Sequence, residues 1–163
     1  MNVPNAVIWE RDSLQLLDQR RLPGDVHYLQ ISSLDEAIDA IRTLAVRGAP
    51  AIGIAAAYAL VVAMGRGEHT TAVTFQDRLA AFAERLRCAR PTAVNLAWAI
   101  DRVRARAAAD PCLRAIREEA EAIHAEDRRI CRAIGAHGKH LITPGCTVLT
   151  HCNAGALAVS ELG

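Results

Sequence analysis

The sequence predicts a mainly helical α+β chain. A small N-terminal antiparallel β-sheet leads into five helices, and the first strand and helix of an incomplete α/β domain follow. Three observations carry this. Hydrophobic residues are 52% of the 163 residues and aromatics only 4%, so the apolar content is largely alanine, which favours closely packed helices. Beyond Ser33 the apolar residues recur at helical spacing. Near the C-terminal end a β-branched run, a glycine turn and an alanine-rich segment succeed one another, as in the opening of an α/β unit.

The elements follow in order. Ala6–Glu10, Leu14–Asp18 and Val26–Ile31 read as short strands, separated by Arg11-Asp12 and by the Leu22-Pro23-Gly24-Asp25 turn. Ser33-Leu-Asp-Glu36 is a capping box, and Ala37, Ile38, Ile41, Leu44 and Ala45 continue it as a helix. A second helix starts near Pro50 and stops at Gly65-Arg66-Gly67. His69–Thr74 is a polar link. The third helix runs from Phe75 to about Ala89, with Leu79, Phe82, Ala83 and Leu86 on one face. Arg90-Pro91-Thr92 interrupts, and the fourth helix covers Ala93 to Ala109. Asp110-Pro111 reads as a cap with proline at the first helical position, opening a fifth helix to Ile134 or beyond. After Thr143-Pro144-Gly145, Cys146–Thr150 is expected as a buried strand. Asn153-Ala154-Gly155 turns the chain, and Ala156–Leu162 begins a helix. The expected division is residues 1–142 as one small-sheet and helical domain, and 143–163 as the start of a second, truncated one.

Composition excludes several functions. Net charge is +1, so no global field draws nucleic acid or acidic lipid. The run from Val46 to Met64 carries one charge, Arg47, but it is interrupted by Pro50 and Gly53 and dominated by alanine, so it reads as a buried helix and not a membrane span. Cys88, Cys112, Cys131, Cys146 and Cys152 form no CxxC pair, and the N-terminus has no basic segment followed by an apolar one. Free thiols in a reducing cytoplasm are expected. His137, His140 and His151 lack carboxylates or a second thiol at ligand spacing, so neither a metal nor another cofactor is expected. Glu118, Glu119, Glu121, Glu126 and Asp127 alternate with arginines at helical spacing and read as a solvated face, with Glu126 and Asp127 facing a domain boundary as the alternative.

Three places carry chemistry. Arg47-Gly48-Ala49-Pro50 opens a helix, where free backbone N–H groups and a partial positive charge suit an anion. Gly48 admits a ligand to the backbone, and Arg47 adds a forked cation. An ordinary helix start with a surface arginine has the same residues. Arg90-Pro91-Thr92 repeats the recipe, with Thr92 as a cap and Asn95 one turn in. In Thr150-His151-Cys152-Asn153-Ala154-Gly155, a cysteine leaves the C-terminal end of a presumed strand. A following helix start would lower its pKa, and a tuned thiol transfers protons. A buried structural cysteine is the alternative.

The strings LLDQRRLPGDVHYLQ, AIRTLAVRGAPAIGIAAAYAL, RPTAVNLAWAI and LTHCNAGALA, in this order, closely resemble the methylthioribose-1-phosphate isomerase family. That family is related to ribose-1,5-bisphosphate isomerases and to regulatory subunits of the eukaryotic translation-initiation exchange factor. The resemblance implies conversion of 5-methylthioribose 1-phosphate to 5-methylthioribulose 1-phosphate in methionine salvage. It implies a Rossmann-like second domain and a homodimer in full-length members, with a small sugar phosphate as partner. It makes Arg47, Gly48, Ala49 and Arg90 substrate-binding and Cys152 catalytic. The family's catalytic aspartate, in a GADRI-like strand, and its NKIGTY-like segment do not occur before Gly163, and Val159-Ser160-Glu161-Leu162 departs from the usual GYGTALG. The chain is therefore expected to be the N-terminal part of such an isomerase, inactive alone. The alternatives are a non-catalytic regulatory module and a ribose-1,5-bisphosphate isomerase.

Overall fold

The computed structural model describes residues 3–66 and 74–163; of the polar link expected at His69–Thr74, all but Thr74 lies outside them. Three strands, β1 (Val7–Glu10), β2 (Ser13–Leu17) and β3 (Tyr28–Ile31), form an antiparallel meander in sequence order. Val7 faces Leu16, and Leu16 faces Leu29. Arg11 and Asp12 join β1 to β2 with φ of 49° and 62°, the left-handed pair that a two-residue hairpin requires.

Five helices follow: α1 (Leu34–Arg42), α2 (Ala49–Gly65), α3 (Phe75–Arg87), α4 (Val94–Ala109) and α5 (Leu113–Gly138). The capping box at α1 forms as expected: Ser33 Oγ accepts from the Glu36 N–H at 3.2 Å, and the Glu36 carboxylate accepts from the Ser33 N–H at 3.1 Å. Hydrogen bonds from Ser32 and Ser33 hold the Glu36 carboxyl below the usual carboxylate range. At α5 the structure departs from the sequence reading. Asp110 ends α4, Pro111 lies between the helices, and Cys112 is the N-cap.

Helix α2 is apolar all round because it is surrounded. It packs against α1, α3, α4, α5 and the sheet, and Ile54, Ala55, Ala56 and Ala57, which step once round the helix, are all buried. Among the described residues no helix is long and apolar enough to cross a membrane. Small residues let α2 approach its neighbours closely. A Cβ added at Gly53 would sit 2.9 Å from the Asn95 carbonyl oxygen, so the first turns of α2 and α4 lie backbone against backbone.

The expected solvated face of α5 is partly a seam. Arg102 of α4 donates to Glu119 at 2.7 Å and also pairs with Glu126. The acids thus reach across to α4 instead of pairing only along α5.

One polar cluster is buried in the helical core. Tyr58 of α2 stacks on Trp9 with ring centroids 4.6 Å apart, and its hydroxyl meets His124 Nδ1 of α5 at 3.2 Å. His124 is 4% exposed, and its Nε2 has no hydrogen-bond partner among the described residues. Burial, helped by the nearby Arg128 charge and opposed by Asp127 and Glu161, pushes the imidazole pKa down to about 4. The unfolded chain titrates near the ordinary value of 6.5 and so binds more protons than the folded chain between those limits. Stability therefore falls as pH drops from about 6.5 to about 4, by on the order of 3 kcal/mol, and the term is constant below that. Asp18 and Glu36, whose pKa values are lowered on folding, lose their contributions only as pH falls through the carboxylate range. Urea unfolding at about pH 7 and about pH 5 is expected to show this loss in the unsubstituted chain and a clearly smaller one in His124→Gln.

The C-terminal segment differs most from expectation. Cys146–Thr150 is exposed and forms no strand, and Leu149 is 96% exposed. A parallel strand needs a neighbour to accept its hydrogen bonds, and none lies alongside among the described residues. The helix expected at Ala156–Leu162 is a single 3-10 turn, Ala156–Ala158. Val159 is extended, and the next residues are drawn to α5: the Ser160 N–H donates to Asp127 Oδ2 at 2.8 Å, and Arg132 donates to Glu161 at 2.6 Å.

Candidate functional site

The starts of α2 and α4 are both uncapped by side chains. Gly48 is the N-cap of α2 and has no side chain to offer; Ala93 is the N-cap of α4 and likewise makes no cap. Thr92, expected as that cap, sits one residue too early. The first N–H groups of both helices are therefore left without an intrahelical acceptor. Pro50 removes one such donor in the first turn of α2 at no loss. The close contact at Gly53 sets these two helix starts side by side.

They open on one cleft of about 1630 Å³. Arg47, Gly48, Ala49, Arg90 and Cys152, the five residues that the sequence singles out, all line it. So do Thr92, Asn95 and Asn153. The last turns of α5, with Cys131 and Arg132, and Lys139 just after it also line the cleft. Four lining side chains are cationic, one of them, Arg132, paired with Glu161, and none of the described lining residues is Asp or Glu. With two helix starts aimed in, the cleft favours an anion.

Local chain geometry brings the segments together. Leu44, with φ of 62°, ends α1 and turns the chain. Ala45 and Val46 are then buried, which leaves Arg47 exposed at the rim. Gly48 has φ of 96°, and a Cβ there would overlap Ala158 of the C-terminal turn. Only glycine admits that contact without strain. Arg47 reaches Asn153 Oδ1 at 3.5 Å, so the arginine is held beside the cysteine-bearing loop.

Cys152 is exposed and has φ of 65°, in the left-handed region. A non-glycine residue there is strained by about 1–2 kcal/mol. The expected helix start after Cys152, on which the softened thiol rested, is only the 3-10 turn. Cys131, one of the five free thiols and not marked by the sequence for the site, lines the same cleft with its Sγ 3.8 Å from Asp127 Oδ2. Burial and the Asp127 charge push its pKa up. Its helical spacing gave no sign of this, because the face of α5 that turns to the cleft depends on the docking of the tail. Among the described residues no three His, Cys, Asp or Glu side chains gather to hold a metal ion.

Known proteins share this fold and much of this sequence. The family model described as the Initiation factor 2 subunit family matches residues 45–162. A methylthioribose-1-phosphate isomerase of Gemmatimonas aurantiaca is 54% identical over 171 residues, covering 100% of this chain and 48% of the relative. One from an Anaeromyxobacter species is 51% identical over 153 residues, covering 94% and 43%. Among solved structures, 5-methylthioribose 1-phosphate isomerase from Pyrococcus horikoshii matches with a TM-score of 0.86 at 35% identity, over 99% of this chain and 47% of that one. Translation initiation factor eIF-2B subunit delta from A. fulgidus matches with a TM-score of 0.85 at 35% identity, over 98% and 48%. The chain spans about half the length of the curated relatives it matches.

Proposed function

The chain belongs to the Initiation factor 2 subunit family, and from that premise we propose that it supplies the sugar-phosphate-binding part of a methylthioribose-1-phosphate isomerase. The observation that carries the reading is that Arg47, Arg90, two uncapped helix starts and Cys152 share one cationic cleft. Relatives 54% and 51% identical bear that enzyme's name.

The chemistry fits the groups present. In 5-methylthioribose 1-phosphate the anomeric carbon carries the phosphate, so the ring does not open to a free aldehyde. The ring oxygen must receive a proton as its bond to C1 breaks. One hydrogen then moves from C2 to C1, and the C2 hydroxyl gives up its proton as the ketone forms. Arg47, Arg90 and the N–H of Ala49 at the start of α2 would hold the dianion, fixing the sugar within reach of the Cys152 thiol. A thiol can perform one side of this proton transfer. The second acid–base group is not among the described residues of the cleft, which include no carboxylate. In this reading residues 143–163 open a Rossmann-like domain, the protein works in methionine salvage as a homodimer, and the 163 residues alone bind sugar phosphate without turning it over.

Titration with ribose 1-phosphate tests this. Saturable binding is expected, weakened by roughly tenfold or more in Arg47→Ala and in Arg90→Ala, as loss of a charge-assisted hydrogen bond requires. Cys152→Ser should leave affinity within about twofold, because the thiol acts on the sugar and not on the phosphate. Equal affinity in all four proteins would overturn the reading. The likeness to the eIF-2B delta subunit supports a second reading as a non-catalytic interaction module. That reading predicts no saturable sugar-phosphate binding.

A further inference from the structure

The two segments that form the anion corner of the cleft are joined by a residue that lines neither. Gln19 follows β2 and is only 6% exposed. Its backbone N–H donates to the Ala45 carbonyl at 2.9 Å, two residues before Arg47. Its side-chain Nε2 donates to the Leu157 carbonyl at 2.8 Å, one residue before the Ala158 that occupies the space at Gly48. The carbonyl of Leu157 only accepts, which fixes the amide orientation with nitrogen toward Leu157. Oε1 is then buried with no partner among the described residues. A side chain kept buried with half of its amide unsatisfied needs an explanation, and the bond to Leu157 supplies one.

Gln19 is also the firmer of two polar links between these segments. The direct one, Arg47 to Asn153, is 3.5 Å long and exposed, at the limit for a hydrogen bond. The link through Gln19 is shorter and shielded from water. Its neighbours brace it: the Arg20 guanidinium grips the Asp18 carboxylate at 2.7 and 2.8 Å and donates to Thr43 Oγ1 at 2.8 Å. The end of β2 is thus fastened to the α1–α2 connection on both sides of Gln19.

We propose that Gln19 is a positioning residue, which sets the Cys152-bearing loop against Arg47, Gly48 and Ala49 so that thiol and anion site keep one geometry. The assignment rests on the functional reading above. Gln19 touches no ligand in this scheme and acts through the Leu157 carbonyl.

Two substitutions test it. Gln19→Met keeps size and burial and removes the amide donor. Gln19→Glu keeps the shape; ionised, it presents only acceptors to the Leu157 carbonyl, whereas protonated it regains a donor. Two quantities are read by mass spectrometry: hydrogen exchange across 153–160, and protection of Cys152 from iodoacetamide by inorganic phosphate. In Gln19→Met, exchange across 153–160 should rise roughly tenfold with α3 and α4 unchanged. The phosphate concentration giving half-protection should rise roughly fivefold. Gln19→Glu should show the fast exchange at about pH 8 and recover toward the unsubstituted chain at about pH 5, where a buried carboxyl is protonated. Each rate is taken as a ratio to the unsubstituted chain at the same pH, because amide exchange itself slows in acid; that ratio decides the matter even if Gln19→Met fails to fold. A merely structural role would lower the thermal midpoint and leave half-protection of Cys152 by phosphate unchanged, and that result overturns the proposal, as does unchanged exchange across 153–160. If phosphate protects Cys152 equally in Gln19→Met, the functional reading stands and this assignment falls. If phosphate protects nothing in the unsubstituted chain, both fall.

Discussion

Gly53→Val is expected to destabilise the chain by about 3 kcal/mol or more and to abolish anion binding with it. Helix propensity alone predicts the opposite sign, since glycine inside a helix is about 1 kcal/mol worse than alanine. Packing decides the outcome. A Cβ at Gly53 would lie 2.9 Å from the Asn95 carbonyl oxygen and 3.5 Å from its Cβ. The obstacle is backbone in the first turn of α4, which cannot rotate away as a side-chain tip would. Two further methyl groups on valine deepen the overlap. Relief requires α4 to move off α2, which opens the core around Leu96 and Ile100, both fully buried. It also separates the two helix starts that share the cleft. Gly135 of α5 provides the control, because a Cβ there would meet nothing within 4 Å. Gly135→Ala should therefore stabilise by about 0.5–1 kcal/mol. Urea denaturation of both variants checks the pair, and a Gly53→Val midpoint equal to that of the unsubstituted chain would contradict the packing account.

The legible part of this fold was the part set by short-range rules. Three strands broken by Arg11-Asp12 and Leu22-Pro23, the Ser33 capping box, and the interruption at Arg90-Pro91 each act within a few residues. Arg47, Gly48, Ala49 and Arg90 were visible because helix starts have known chemistry, and Cys152 was reached through a strand end that does not form; the cleft gathers all five. That two helix starts converge was not readable. It depends on Gly53 meeting Asn95, a contact across forty-odd positions with no local mark. Gln19 and Cys131 were missed for the same reason: each is defined by a partner on the C-terminal segment or across the cleft. The strand expected at Cys146–Thr150 illustrates the reverse error. β-branched composition marks a segment that suits a sheet, but pairing needs a neighbouring strand, and these residues are exposed without one.

Gly48→Ala should leave the helical core folded and release the C-terminal segment. The backbone at Gly48, with φ of 96° and ψ of 133°, is costly for any residue with a side chain, by about 1–3 kcal/mol. The added Cβ would also overlap Ala158 at its Cα, Cβ and carbonyl oxygen. Either α2 or the segment carrying Ala158 must give way. Moving α2 disturbs a helix packed on every side, at several kcal/mol. The other side is held by the Gln19–Leu157, Ser160–Asp127 and Arg132–Glu161 contacts, each worth about 1 kcal/mol net, and residues 143–152 before it are exposed. The segment is the cheaper element to displace. Hydrogen exchange across 153–163 should accelerate while α2, α4 and the far-ultraviolet helical signal are retained. Phosphate protection of Cys152 should weaken by roughly tenfold or more, because the thiol no longer lies beside Arg47. Slow exchange across 153–163 in Gly48→Ala would mean that the turn at Ala158 is not what this glycine accommodates. The thiol's place in the cleft would then need another cause.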